Sequence, residues 1–194
     1  MARSLRVDVA GLTYHVWANG VPGQSIFRAP EDKNVALKLL EEEVVLSRWT
    51  CLEYVFMSTH YHVVISLQTP TLSSGFQRFN VRYAQYFNAL YRRRGHVFES
   101  RFQSKLVDGA AGQLEVTGYV ALNPKRAGMC ELPEQYPWCG YGATIGLFAP
   151  DPVVDPKATL APLGGSRAAY RRYVEEQDPR VRRGQVGARP RAKR

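Results

Sequence analysis

The chain of 194 residues has three cysteines, no Cys-x-x-Cys pair, no long apolar run and fewer acids than bases. Each shortage excludes something. Cys51, Cys130 and Cys139 are odd in number and widely spaced, which argues against both a disulfide framework and a cysteine zinc site and leaves reduced thiols. No stretch approaches the roughly 18 consecutive apolar residues of a membrane span, and the N-terminus lacks the apolar core of a signal peptide. A soluble, cytoplasmic protein is expected. Acids number 17 against 26 Lys and Arg, for a net charge of +9. That imbalance favours a polyanionic partner, most simply nucleic acid.

Apolar residues make up 45% of the chain, enough for one domain with a real core and an appendage. The charge is uneven. From Ser166 onward there are ten Arg or Lys against three acids, so this segment carries +7 of the +9. Residues 180–194 are rich in Arg and Gly with almost no large apolar side chain, a composition expected to be disordered when free. The division expected is one domain over residues 1–148, then a Pro/Gly-containing linker and a basic, partly disordered tail over 149–194.

Two of the four histidines, His60 and His62, stand one residue apart in a β-forming run. Strand side chains alternate, so both imidazoles leave one face while Tyr61, Val63 and Ile65 leave the other. Around them the pattern predicts a strand over residues 12–17 and a helix from Pro30 to about Ser47. Strands over 50–56 and 60–67 follow, or one bent hairpin around Met57-Ser58-Thr59. A helix over 72–94 comes next, then a strand over 96–107 and a helix over 113–123, where Pro124 marks an end or kink.

At about 100° per residue, the helix over 72–94 gathers Phe76, Phe79, Tyr83, Tyr86, Phe87 and Leu90 on one side and Arg78, Arg82, Gln85, Arg92 and Arg93 on the other. The aromatic stripe reads as core. The arginine stripe has no acids within it to pair with and so suits phosphate contacts. On the following helix Glu115, Tyr119 and Asn123 recur every fourth residue and share a face. With two imidazoles nearby, Asn123 or Glu115 can add an oxygen ligand to a divalent cation, leaving Tyr119 beside it. A phenol so placed can attack a phosphodiester while the cation offsets the developing charge. A phenol, with an ordinary pKa of about 10, also leaves more readily than an alkoxide, so the reaction runs both ways.

These motifs together resemble the HUH single-tyrosine transposases, in the REP-associated branch of the IS200-like superfamily. The resemblance rests on His60-Tyr61-His62, on Tyr119-Val120-Ala121-Leu122-Asn123-Pro124-Lys125-Arg126-Ala127-Gly128, on the Phe98 to Phe102 stretch, and on Tyr136-Pro137-Trp138 with Tyr141. It covers most of residues 10–145. Ser58-Thr59 replaces the usual Pro-Asn before the histidines, and Cys139-Gly140 stands where a Ser-Ser pair is common. The resemblance implies an α+β, ferredoxin-like HUH domain with both histidines on an inner strand of an antiparallel sheet. It implies that His60, His62 and Asn123 bind Mg²⁺ or Mn²⁺, and that Tyr119 is the catalytic nucleophile. The activity implied is cleavage and strand transfer of single-stranded or hairpin DNA through a 5′-phosphotyrosine, by a nucleoid-associated protein without a small-molecule cofactor, a monomer being favoured and a dimer left open.

Phosphate contacts are expected from Arg78, Arg82, Arg92, Arg93, Arg94, Arg101 and Lys105. Tyr170 and Tyr173 can stack on bases or pack a terminal helix onto the core. Glu115 is the reserve for Asn123. Two other functions compete: a domesticated, non-catalytic binder of DNA or RNA hairpins, and a metal-dependent phosphodiesterase that uses water.

Overall fold

The computed structural model describes residues 8–178. The basic stretch over 180–194, and the disorder expected of it, lie outside them. The β1 strand Thr13–Asn19 precedes helix α1 Pro30–Leu46, the β2–β3 hairpin (Trp49–Phe56, His60–Leu67), helix α2 Leu72–Leu90, strand β4 Gln103–Val107 and helix α3 Gly109–Arg126. The strands form one antiparallel sheet in the order β2-β3-β1-β4. This is the ferredoxin-like α+β arrangement, with β3 on the inside.

Alternation divides the sheet into two faces. Tyr14, Val16 and Ala18 of β1 and Tyr61, Val63 and Ile65 of β3 are buried with Leu40 of α1 and Phe76, Phe79, Tyr83 and Phe87 of α2. Each of these large side chains contributes about 1.5–3 kcal/mol by leaving water. A bulge between Cys51 and Glu53 shifts the phase of β2, so Cys51 and Tyr54 join that core while Leu52 and Val55 face the other way. On this second face Leu52, Val55 and Val64 meet Val120, Ala121 and Leu122 of α3.

Asp32 ties the first layer together. Its carboxylate accepts from the backbone N–H of Arg28 (2.7 Å) and Ala29 (3.0 Å) just before α1, which fixes the turn that enters the helix. The phenols of Tyr86 and Tyr91, at the far end of α2, donate to the same group at 3.0 and 2.8 Å.

Residues beyond 148, expected to be linker and tail, contribute helices to the second core. A short helix, α4 Tyr141–Thr144, comes before them, and then α5 Pro156–Leu160 and α6 Arg167–Gln177 bury Leu160, Tyr170 and Val174 against α3. The outer edge of β2 is covered by bridges from Cys139 to Val55 and from Val154 to Cys51, which removes an unpaired strand edge. Tyr170 is buried and Tyr173 packs beside it, so the packing alternative holds for both. The three cysteines are free thiols. No helix among the described residues is long and apolar enough to cross a membrane.

Two local expectations are corrected, and of the two alternatives at Pro124 one is excluded. Of residues 96–107, only Gln103–Val107 is strand. The alternation upstream arises because Val97 and Phe102 are buried from a loop, and Phe98 makes one bridge to Gly20. Helix α2 stops at Leu90, which is exposed, and Arg92 takes a left-handed φ of 49°. Pro124 does not end α3: the helix continues to Arg126 and closes at Gly128, φ 71°, because a proline deletes one N–H donor while Val120, Ala121 and Leu122 stay anchored on the sheet.

Candidate active site

The hairpin between β2 and β3 presents the two histidines, and the loop after β1 holds it in place. Gly20 N–H donates to Thr59 O at 2.7 Å, while Ile26 and Phe27 N–H donate to Ser58 O at 2.9 and 3.0 Å. A Cβ on Gly20 would lie 2.4 Å from the Ile26 side chain, so only glycine allows this close approach. His60 and His62 leave β3 on one face, their ring centroids 5.1 Å apart. The geometry expected of the pair is therefore present.

A third imidazole joins them. His15 of β1 lies beside His62, with Nε2 2.9 Å from His62 Nδ1 and ring centroids 5.0 Å apart. His60 Nδ1 is 3.0 Å from Thr59 Oγ1. Alternation along β1 places His15 and Trp17 away from buried Tyr14, Val16 and Ala18. That signal was in the sequence, but the pairing of β1 with β3 is long-range.

All three rings are held neutral. Burial, with the neighbouring His15 and His60 adding to it, pushes His62 down to about 3. Burial and then the Lys105 ammonium lower His15 to about 4, and burial lowers His60. Their ring lone pairs are thus not lost to protons at neutral pH.

Helix α3 crosses this face of the sheet and brings Tyr119 over it. The Tyr119 ring stands edge-on to His62 at 5.7 Å and to His15 at 6.0 Å between centroids. At 39% exposed, its phenol is open to a substrate. Gly118, one residue earlier, seats the Tyr173 ring of α6, which a Cβ would approach to 3.3 Å. Two turns on, the Arg126 guanidinium lies 5.4 Å from the Tyr119 ring centroid. Arg126 went unnoticed in the sequence, although its spacing of seven from Tyr119 puts it on the same helix face.

A cleft of about 650 Å³ opens beside Tyr119, lined by His15, Trp17, His62, Lys105 and Glu115. Glu115 is exposed in its wall. Asn123 lies one turn beyond Tyr119 and is half-buried, with Nδ2 donating to the Tyr119 carbonyl at 3.0 Å.

The cations divide into two groups. Arg78 and Arg82 belong to α2, across the sheet from Tyr119, and their acids come from α1 rather than from within the stripe. Arg78 meets Glu43 at 2.5 Å and Arg82 meets Glu42 at 2.7 Å. Arg93 donates to Gln24 and lies over the Phe87 ring. Arg92, Arg94, Arg101 and Lys105 are exposed and make no ion pair among the described residues. The loop bearing the arginines reaches the His60 end of the sheet, where Glu99 N–H donates to Asn19 O at 3.0 Å and Asn19 pairs with His60.

As a donor set for a divalent cation, His60 and His62 fit: they share a face and stay neutral. No group of three His, Cys, Asp or Glu side chains among the described residues forms a ready cage.

No family model matches the sequence, and no curated protein does. Among solved structures, the chain is similar to a REP-associated tyrosine transposase bound to a REP hairpin. The TM-score is 0.62 and the identity 15%, over 80% of this chain and 94% of that one. A weaker likeness, to the tRNA(His) guanylyltransferase of Saccharomyces cerevisiae, has a TM-score of 0.47 and 9% identity over 91% of this chain and 81% of that one. The chain thus has the fold of the transposase.

Proposed function

We propose that this chain is a metal-dependent single-tyrosine strand transferase acting on single-stranded DNA that carries a hairpin. The observation that carries the reading is the convergence of β1, β3 and α3, which sets the accessible Tyr119 ring within 6.0 Å of both His15 and His62. The similar structure holds a REP hairpin, and the exposed cations here are of the kind that bind phosphate.

His60 and His62 would hold Mg²⁺ or Mn²⁺, with Asn123 Oδ1 as third ligand, since only the Nδ2 of that amide is engaged, by the Tyr119 carbonyl. When bound, such an ion polarises a non-bridging phosphate oxygen and stabilises its developing charge. The Tyr119 phenol oxygen attacks phosphorus, losing its proton; the P–O3′ bond breaks and the departing 3′ oxygen is protonated. The products are a 5′-phosphotyrosyl link and a free 3′-hydroxyl. Attack on that link by another 3′-hydroxyl reverses the step and joins new ends. Arg126 offers charge beside the phenol, and Trp17 in the cleft offers a ring on which an unpaired base can stack. Arg92, Arg94, Arg101 and Lys105 supply phosphate contacts. Tyrosine and histidines meet within one chain, so a monomer suffices, working on cytoplasmic DNA.

Incubation with a panel of hairpin oligonucleotides and Mn²⁺, followed by a denaturing gel, tests the reading. A protein-linked DNA band is expected that disappears in Tyr119→Phe and His60→Ala. Cleavage that persists in Tyr119→Phe would show water to be the nucleophile. One observation favours a second reading, a hairpin binder without chemistry: no group of three His, Cys, Asp or Glu side chains among the described residues forms a ready metal cage. It predicts hairpin binding that survives both substitutions, with no adduct under any condition.

A further inference from the structure

His15 has no part in the mechanism above, yet it makes the closest polar contact in the site. Its Nε2 stands 2.9 Å from Nδ1 of His62, a distance at which two ring nitrogens must share one proton, since two bare lone pairs would repel. One proton lies between the two nitrogens and either ring can donate it, so two arrangements are possible. In one, His15 donates from Nε2 and His62 carries its own proton on Nε2, with no nitrogen left to bind a cation. In the other, His62 donates from Nδ1 and keeps its Nε2 lone pair free.

The other histidine of the pair points to the second arrangement. His60 also has Nδ1 engaged, at 3.0 Å from the Thr59 hydroxyl, which can accept that proton. Both rings of the pair are thereby tied at Nδ1 by neighbours outside the pair, and each is left with Nε2. The nitrogen a histidine offers to a metal is set by the hydrogen bond its other nitrogen makes.

We propose that His15 is a positioning residue: its Nε2 accepts the Nδ1 proton of His62, fixing that ring in the form whose Nε2 is open to a divalent cation. The proposal rests on the metal-dependent reading given above. His15 occupies this place because β1 lies next to β3 and its odd positions face α3. With its own acceptor turned to His62, His15 carries its proton on Nδ1. Deleting the acceptor releases His62 to the Nε2–H form that an unrestrained imidazole prefers and frees the ring to turn.

The experiment combines the proton position with metal affinity. In ¹⁵N-labelled, metal-free wild-type protein, long-range ¹H–¹⁵N spectra should place the His62 proton on Nδ1. His15→Leu should move it to Nε2 and weaken Mn²⁺ binding about 10–100-fold, while His15→Gln, whose amide oxygen can accept, should recover most of the affinity. A wild-type His62 protonated on Nε2 would overturn the proposal, as would a His15→Leu protein that binds Mn²⁺ within about twofold of wild type. If His15→Leu does not fold, the wild-type proton position decides alone. Failure of the wild type to bind Mn²⁺ at all contradicts the metal-dependent reading instead, and the proton position still decides the role of His15.

Discussion

At the scale of single residues, burial keeps particular ionisable groups neutral both in the site and in the core. His15 and His62 are held uncharged and so stay available as donors or acceptors. Glu53 shows the same effect in a carboxyl group. It is wholly buried, accepts from Tyr54 N–H at 3.0 Å, and its Oε2 has no hydrogen-bond partner among the described residues. Burial raises its pKa well above the ordinary 4.5. A raised folded-state value contributes stability that is whole below the unfolded pKa and is lost as pH rises toward the folded one. Gln cannot ionise and keeps the same shape. Glu53→Gln should therefore match wild type in urea midpoint near pH 4.5 and exceed it increasingly toward neutral pH. Equal midpoints at neutral pH would contradict the account of Glu53.

At the scale of elements, α2 shows how much of the sequence pattern was legible and where it ended. The spacing of Phe76, Phe79, Tyr83 and Phe87 identified the buried face correctly, because periodicity is a local property. The arginine stripe opposite was expected to lack acids, and locally it does. Its partners come from α1, thirty-five residues away for Arg78 and Glu43, a contact that exists only after both helices dock on the sheet. The place of His15 is not local for the same reason, and the segment before β4 reads as strand because buried Val97 and Phe102 mimic alternation. Glu43 is 2% exposed and Arg78 42%. Arg78→Ala leaves a buried carboxylate unpaired and should cost about 2–3 kcal/mol of unfolding free energy, below the full value for a buried pair because Arg78 is partly in water. Its hairpin affinity, measured at fixed salt, should stay close to wild type. Loss of affinity without loss of stability would place Arg78 on the DNA after all.

At the scale of the whole molecule, one sheet separates two functions. The α1–α2 face holds the larger aromatic core. The α3 face carries the histidines, the tyrosine and the cleft, with exposed cations at the sheet's rim. Residues beyond 148 stabilise that second face from behind, through α6 on α3 and the Lys125–Asp178 ion pair at 2.6 Å. Sequence pattern leaves this role as one of two alternatives for Tyr170 and Tyr173, since α6 is mostly polar and its buried Tyr170 and Val174 gain meaning only against α3. Binding of a hairpin should weaken with salt. Arg94→Ala and Arg101→Ala should each lower the slope of log affinity against log salt by about 1 without altering thermal stability. An unchanged slope in both would remove the loop from the interface.

The central claim is that the Tyr119 oxygen forms a bond to DNA phosphorus, and peptide mass analysis reads that bond directly. Wild-type protein incubated with a hairpin oligonucleotide and Mn²⁺, then digested with nuclease and protease, should yield the Tyr119 peptide carrying a nucleotide 5′-phosphate. An unmodified Tyr119 peptide recovered alongside cleaved DNA, or the nucleotide found on any other residue, would contradict it.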